Sequence, residues 1–189
     1  MAWIIVLAIL AAAVFVFVSV FYEDTKKKLD EMNYPRTYST YVEKAAKDYD
    51  LDPALIYAVI HTESGFDPKA ESGVGAKGVM QMMPSSFEWL QEQRGCAGQY
   101  TEDDLFDPEI CIDYGSYLLK YFYDYYGTER SAIAAYNAGF VVSDWLNDTK
   151  YSSDGKNLDS IPYPETENYV DKVESAKEMY IKLYYSQSN

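Results

Sequence analysis

Twice in this chain an aspartate is followed by a proline and then by apolar residues at helical spacing that run to a glycine. Asp52-Pro53 leads into Ile56, Val59 and Ile60 and stops at Gly65; Asp107-Pro108 leads into Ile110, Tyr114, Tyr117, Leu118, Tyr121 and Phe122 and stops at Gly127. The aspartate accepts a hydrogen bond from the unpaired N–H groups of the first turn, proline needs no donor there, and glycine adopts the left-handed turn that ends a helix. Further helical spacing at Val42, Ala45, Ala46 and Tyr49, and at Phe87 and Leu90, extends the same pattern. A mainly α fold follows. Thr40 and Glu43 fit a capping box at the start of the first domain helix. Residues 85–94 and 128–137 are expected as helices, and a last helix is expected to turn Val170, Val173, Lys177 and Tyr180 inward.

Glu63 continues the series Ile56, Val59, Ile60 at i+7, so its carboxyl falls on the apolar face in the last turn before Gly65. Burial and the negative end of the helix dipole both disfavour the anion there and raise its pKa. A carboxyl that keeps its proton near neutrality suits a general acid. The plain alternative is a glutamate that reaches solvent from a helix end. His61, the one histidine, lies on another face and is expected to pack. One His and two Cys make no zinc-type ligand set, and neither a metal nor a cofactor is expected; without a Gly-x-Ser-x-Gly elbow a Ser-His-Asp hydrolase is set aside as well.

With 189 residues the chain holds one well-packed domain and short appendages. A net charge of −14 without a long basic run excludes nucleic acid as a partner. Residues 1–22 carry no charged side chain from Ala2 to Tyr22, about the length a helix needs to cross a ~30 Å hydrocarbon core. The run lacks a preceding basic region and a small-x-small cleavage pattern, which favours an uncleaved transmembrane anchor over a signal peptide. Residues 23–37 read as a charged linker punctuated by Pro35, and 38–189 as the folded domain. Within it, 96–105 reads as a polar surface loop and 147–160 as a flexible flap.

Four stretches narrow the reading: Glu63-Ser64-Gly65-Phe66, Gly78-Val79-Met80-Gln81-Met82-Met83-Pro84, Ala135-Tyr136-Asn137-Ala138-Gly139, and Glu165-Thr166 followed by Tyr169-Val170. In this order they resemble the catalytic domain of the soluble-lytic-transglycosylase family, lysozyme-like helical enzymes of the goose type that cut the glycan strands of bacterial peptidoglycan. The resemblance spans roughly residues 38–185. Val79 stands in a leucine position, and Phe140-Val141-Val142-Ser143 replaces a glycine-containing turn before the Trp145-Leu146 pair.

The resemblance implies Glu63 as the catalytic residue. Met80 and Gln81 would line the groove, Ser72 would sit near the carboxyl, Tyr136 and Asn137 would position substrate, and Tyr169 would orient the acid. Met82, Met83 and Pro84 are read as packing and helix-start residues. Cys96 and Cys111 either stay free or, outside the cytoplasm, form a disulfide. Lys26, Lys27 and Lys28 would by charge alone keep the C-terminal side of the anchor in the cytoplasm. The implied substrate instead places the domain on the extracytoplasmic side of the bacterial membrane.

Because no second acid occupies a motif, the resemblance implies cleavage between N-acetylmuramic acid and N-acetylglucosamine by Glu63 alone, closing a 1,6-anhydro ring. Asp67-Pro68 reads as a turn. The alternatives are a muramidase resembling goose-type lysozyme, which would use water, and an inactive membrane-tethered scaffold that binds glycan.

Overall fold

The centre of the fold is a helix buried on every side. The structure, a computed structural model, describes residues 2–186; within the first helix the described side chains are those of Trp3, Leu10 and residues 14 onward. Among the described residues eight α-helices run in the order α1 (Ala2–Asn33), α2 (Ser39–Tyr49), α3 (Pro53–Ser64), α4 (Pro84–Gln93), α5 (Pro108–Tyr126), α6 (Glu129–Ala138), α7 (Val142–Asn147) and α8 (Pro164–Tyr180). Short 3-10 turns cover Glu102–Phe106 and Gly139–Val141, and a π turn covers Ile181–Tyr185. Among the described residues there is no strand, and only isolated bridges join Lys77 to Glu71 and Met82.

Helix α3 begins as expected. Asp52 accepts from the Ala54 N–H at 2.9 Å, Pro53 occupies the first turn, and Gly65 ends the helix at φ 58° with its N–H donating to His61. Its apolar surface is wider than a single stripe: Ala54 through Ile60 are all buried. A helix apolar all round must be central. Helix α8 packs along it, α2 flanks it, and α5 and α6 complete the bundle. Glu63 is therefore the first acidic side chain met on leaving the core.

Helix α5 repeats the device, with Asp107 accepting from the Glu109 N–H at 2.9 Å and Gly127 left-handed at the far end. Helix α2 does not form the expected Thr40–Glu43 box. It starts two residues earlier behind a left-handed Tyr38, and Glu43 is engaged by Arg36 at 2.5 Å and the Tyr185 hydroxyl at 2.8 Å. In α8, Val170, Val173 and Tyr180 turn inward as expected, but Lys177 does not join the apolar stripe. Its ammonium reaches Glu129 at 2.8 Å and Asp52 at 3.2 Å, tying together the starts of α6 and α3.

Three segments read as loose are ordered by hydrogen bonds. The linker 23–37 is helical to Asn33, supported by an i,i+4 pair of Lys28 with Asp24 at 2.7 Å. Its end is then fastened to the domain: the Tyr184 hydroxyl donates to the Tyr34 carbonyl at 2.7 Å and Tyr180 to the Pro35 carbonyl at 3.1 Å. The loop 96–105 runs into the Glu102–Phe106 turn, boxed by Thr101 and Asp104, and buries Leu105. In the segment 147–160, the Asp154 carboxylate accepts from the Lys156 and Asn157 N–H groups and the Asn157 amide, which hold it down at about 2. Leu158 and Ser152 are buried there, so the expected flap is a packed loop.

The expected membrane segment, residues 1–22, falls in large part on side chains outside the described residues. Among the described residues no helix is long and apolar enough to cross a membrane. The described side chains of this stretch that lie outermost include Phe15, Phe17 and Phe21, each about two-thirds exposed or more.

Candidate active site

Glu63 is part-buried at the C-terminal turn of α3. Burial lifts its carboxyl from the ordinary 4.5 to about 7, and the Tyr169 hydroxyl opposes part of that rise. Neither a second carboxylate nor a cation contributes, so desolvation is the dominant cause. Tyr169 extends from the second turn of α8, which the sequence places there by starting the helix at Pro164. Its hydroxyl is buried and closes no hydrogen bond among the described residues. Burial first, and the charge of Glu63 second, hold the Tyr169 and Tyr136 phenols well above the usual tyrosine range. Glu63, Tyr136 and Tyr169 thus form one electrostatic group drawn from three helices.

The glycine-rich segment after α3 is folded against this group by side chains and backbone together. Ser64 donates from Oγ to the Val79 carbonyl at 2.8 Å and accepts from the Phe66 N–H at 3.1 Å, pinning the end of α3 to the second motif. Nothing in the helical phasing singles out Ser64; its adjacency to Glu63 in the first motif was the available signal. Ser72 accepts from the Ala76 N–H at 2.9 Å and so shapes the glycine turn beside it. Gly78, at φ 75°, allows the chain to pass under the Leu105 carbonyl, which a Cβ would meet at 2.0 Å.

Gln81 holds a left-handed φ of 47°. Its amide nitrogen donates to the Ala70 and Gly78 carbonyls at 3.1 and 3.0 Å, which offsets the cost of that conformation and leaves the amide oxygen for other partners.

Met80 is corrected by the structure. It is completely buried and packs against Gly115, where a Cβ would come within 2.5 Å of its sulfur, so it cannot form a groove wall. Its carbonyl instead accepts from the Tyr136 hydroxyl at 2.8 Å, fixing that ring. The methionine of this motif that reaches the surface is Met83, 39% exposed at the N-cap of α4; it and Pro84 take the helix-start part of their joint reading, and Met82 takes the packing part.

Asn137 is exposed at the end of α6, and its amide oxygen accepts from the buried Thr166 hydroxyl at 2.8 Å. Helical phasing alone does not single out Thr166, which holds the Asn137 amide. Glu165 is exposed in the first turn of α8, and Asp67 caps its own turn by accepting from the Lys69 N–H at 2.8 Å. His61 packs its ring on Tyr34 at 4.8 Å, and burial lowers its pKa.

Cys96 and Cys111 are both free thiols, which removes the disulfide as an option for this structure. The Cys111 thiol is turned into the core between the Met80 N–H and the Lys77 carbonyl, and burial pushes it up to about 12. Cys96 faces the Tyr114 hydroxyl at 3.3 Å. Lys77, whose carbonyl belongs to the same segment, places its ammonium at 2.9 Å from Glu102 and 3.1 Å from Asp103 and so anchors the Glu102–Phe106 turn.

Residues 40–158 match the family described as the transglycosylase SLT domain. The soluble lytic murein transglycosylase of Escherichia coli K12 is 32% identical over 146 residues, 76% of this chain and 23% of that protein. The membrane-bound lytic murein transglycosylase C of Actinobacillus succinogenes is 30% identical over 170 residues, covering 78% of this chain and 48% of that one. The chain thus spans about a quarter to a half of the length of these relatives. Among solved structures, the 70 kDa soluble lytic transglycosylase of Escherichia coli superposes with a TM-score of 0.73 at 27% identity, over 82% of this chain and 26% of that one. The central buried helix that carries Glu63 in its last turn, the glycine segment strapped to it and α6 lie within residues 40–158, and on that match the chain belongs to the transglycosylase SLT domain family, with its lysozyme-like helical fold.

Proposed function

We propose that the protein is a peptidoglycan lytic transglycosylase that cleaves the bond between N-acetylmuramic acid and N-acetylglucosamine and leaves 1,6-anhydromuramyl ends. The observation that carries this reading is Glu63: a part-buried carboxyl lifted to about 7 with no charged partner acting on it. At neutral pH about half of such groups hold a proton, which suits a residue that must both give and take one. Protonated Glu63 donates to the glycosidic oxygen as the C1–O bond breaks, and the substrate's own acetamido group stabilises the cation developing at C1. The carboxylate so formed then removes the proton from the C6 hydroxyl, whose oxygen bonds to C1 and closes the anhydro ring. Proton and electron pairs balance without water. One acid suffices because both nucleophiles belong to the substrate.

Tyr169 and Tyr136 set the environment of the acid. The free Gln81 amide oxygen and the exposed Asn137 amide are the groups we assign to polar contacts with the sugars, and Ser72 is assigned to shaping the loop beside them. We further propose that residues 1–22 anchor the chain in the bacterial membrane with residues 38–189 as the catalytic domain on the extracytoplasmic side. The apolar run and the exposed Phe15, Phe17 and Phe21 support this.

The test is mass spectrometry of muropeptides released from purified sacculi by the detergent-solubilised chain and by Glu63→Gln. Anhydromuramyl ends from the native chain and none from the variant are expected. Reducing ends would transfer the reading to a water-using muramidase, and identical products from both proteins would remove Glu63 from the chemistry. Anchoring is tested by alkaline carbonate extraction of membranes, in which release of the chain to the supernatant counts against it.

A further inference from the structure

Resting on that glycan-cleaving reading, we propose that Lys77 is a positioning residue for the reaction: clamped by Glu102 and Asp103, it holds residues 78–81 in the shape that the Glu63 site uses. Lys77 closes this loop at its base. Its N–H donates to the Met82 carbonyl at 3.0 Å and its carbonyl accepts from the Met82 N–H at 3.0 Å, so residues 78–81 lie inside a doubly bonded pair. The groups they present belong to the site or its supports. The Val79 carbonyl accepts from Ser64, the neighbour of Glu63, at 2.8 Å; the Met80 carbonyl accepts from the Tyr136 hydroxyl at 2.8 Å; and the left-handed Gln81 aims its amide. A loop entered through Gly73, Gly75 and Gly78 does not set this shape by itself, because glycine leaves the backbone free.

The constraint comes from outside the loop. The Lys77 side chain is 9% exposed, and its ammonium lies 2.9 Å from Glu102 and 3.1 Å from Asp103, whose side chains are 58% and 80% exposed. The cation is shielded while the carboxylates stay hydrated, so the pair is screened less than one between two solvent-exposed chains. The turn that carries the carboxylates is itself fixed. Thr101 and Asp104 box its start, and the buried Gln91 amide of α4 bonds the Tyr100 N–H at 2.8 Å and the Tyr100 carbonyl at 3.1 Å. Lys69 supplies the contrast. Its ammonium lies over the Phe106 ring at 5.2 Å, as that of Lys77 does at 5.4 Å, but it is exposed and has no carboxylate partner among the described residues.

Loosening the clamp would admit water to Glu63 from the loop side. The titratable groups that face its carboxyl are Tyr169 of α8, Tyr136 of α6 and Cys111 of α5, with no cation among them. Added water therefore lowers the carboxyl's pKa toward its ordinary value, because desolvation is what raises it.

The experiment follows release of soluble muropeptides from purified sacculi by the full chain in detergent, as kcat and KM across pH. Lys77→Met, which keeps the stem and removes the charge, is expected to lower kcat about ten- to a hundredfold. It should also move the alkaline limb of kcat/KM below its native position near pH 7. Glu102→Gln with Asp103→Asn, made at exposed side chains, should act in the same direction and add nothing further to Lys77→Met. Lys77→Arg is expected to restore most of the rate and the limb, and Lys69→Met to leave both native. Native kinetics in Lys77→Met overturn the proposal, as does a lower rate with an unmoved limb in a variant whose circular dichroism is native, or an equal loss in Lys69→Met. If Lys77→Met does not fold, the carboxylate variant decides, and its native kinetics overturn the proposal. A native chain that releases no muropeptide takes the glycan reading and the proposal down together, whereas an active native chain insensitive to the clamp removes the proposal alone.

Discussion

The Tyr169 hydroxyl stands beside the Glu63 carboxyl in a buried setting and is the one group that opposes the rise in that carboxyl's pKa. Burial alone sets the upward direction, and the phenol dipole favours the anion. Tyr169→Phe removes the downward influence without emptying the site. The alkaline limb of kcat/KM, expected near pH 7 for the native chain, should move to higher pH in this variant. Measured pH profiles on sacculi decide it: a limb that stays put or moves down contradicts the relationship.

Glu63 also links activity to stability. A carboxyl whose folded pKa lies above its unfolded value of 4.5 stabilises the fold while protonated, and that contribution is whole below about pH 4.5 and lost as pH rises through about 7. The native chain should therefore carry a deficit of roughly 2–3 kcal/mol at pH 8 relative to acid, after allowance for partial exposure. Glu63→Gln, neutral throughout, is expected to be more stable than the native protein by about that amount at pH 8 and nearly equal to it at pH 4. Urea unfolding at the two pH values checks this, and a variant less stable at pH 8 would falsify the burial argument.

Gly78 and Gly73 belong to the same loop but differ in surroundings. A Cβ on Gly78 would meet the Leu105 carbonyl at 2.0 Å and the Cys111 sulfur at 2.9 Å, at a φ of 75°; a Cβ on Gly73 meets nothing within 4 Å. Gly78→Ala is expected to cost about 3 kcal/mol or more, because backbone must move. Gly73→Ala should stay within about 0.5 kcal/mol. Thermal unfolding of the pair separates them, and equal losses would mean that the close approach under Leu105 is not what the loop depends on.

The two thiols should differ sharply in reactivity. Cys111 is buried and its thiol is held up at about 12, whereas Cys96 is partly exposed. Under native conditions a maleimide is expected to label Cys96 alone, with Cys111 reacting only on unfolding. A reductant should leave the melting temperature unchanged. Peptide mapping that finds Cys96 joined to Cys111 in protein recovered from the cell envelope would refute this assignment.

Helix starts and stops were legible because their causes are local. Asp52-Pro53, Asp107-Pro108, Gly65 and Gly127 act through bonds made within a few residues, and the structure has each in its expected role. The position of Glu63 at the last turn of α3 came from the same phasing. Thr40 and Glu43 misled because Arg36, just ahead of the helix, and the distant Tyr185 engage Glu43. The segments 23–33 and 147–160 misled because polar composition does not distinguish a mobile tether from a helix laced by ion pairs or from a loop that satisfies its own backbone.

What the sequence determined by itself is the helices α2 to α6 and α8, the carboxyl at the end of an apolar run and the four motifs that mark the family; α7 and the helical stretch to Asn33 were not legible in it. Only the tertiary structure decided which of the motif residues face outward. Met80 and Met83 lie three residues apart in one motif, yet one is sealed against Gly115 and the other is at the surface. Ser64 and Thr166 became supports of the site because chain segments 15 and 29 residues away bring Val79 and Asn137 to them. The pKa of Glu63 is of the same kind. Phasing predicts its direction, but its rise to about 7 depends on how completely surrounding helices remove water from one carboxyl, and that is a property of packing rather than of order along the chain.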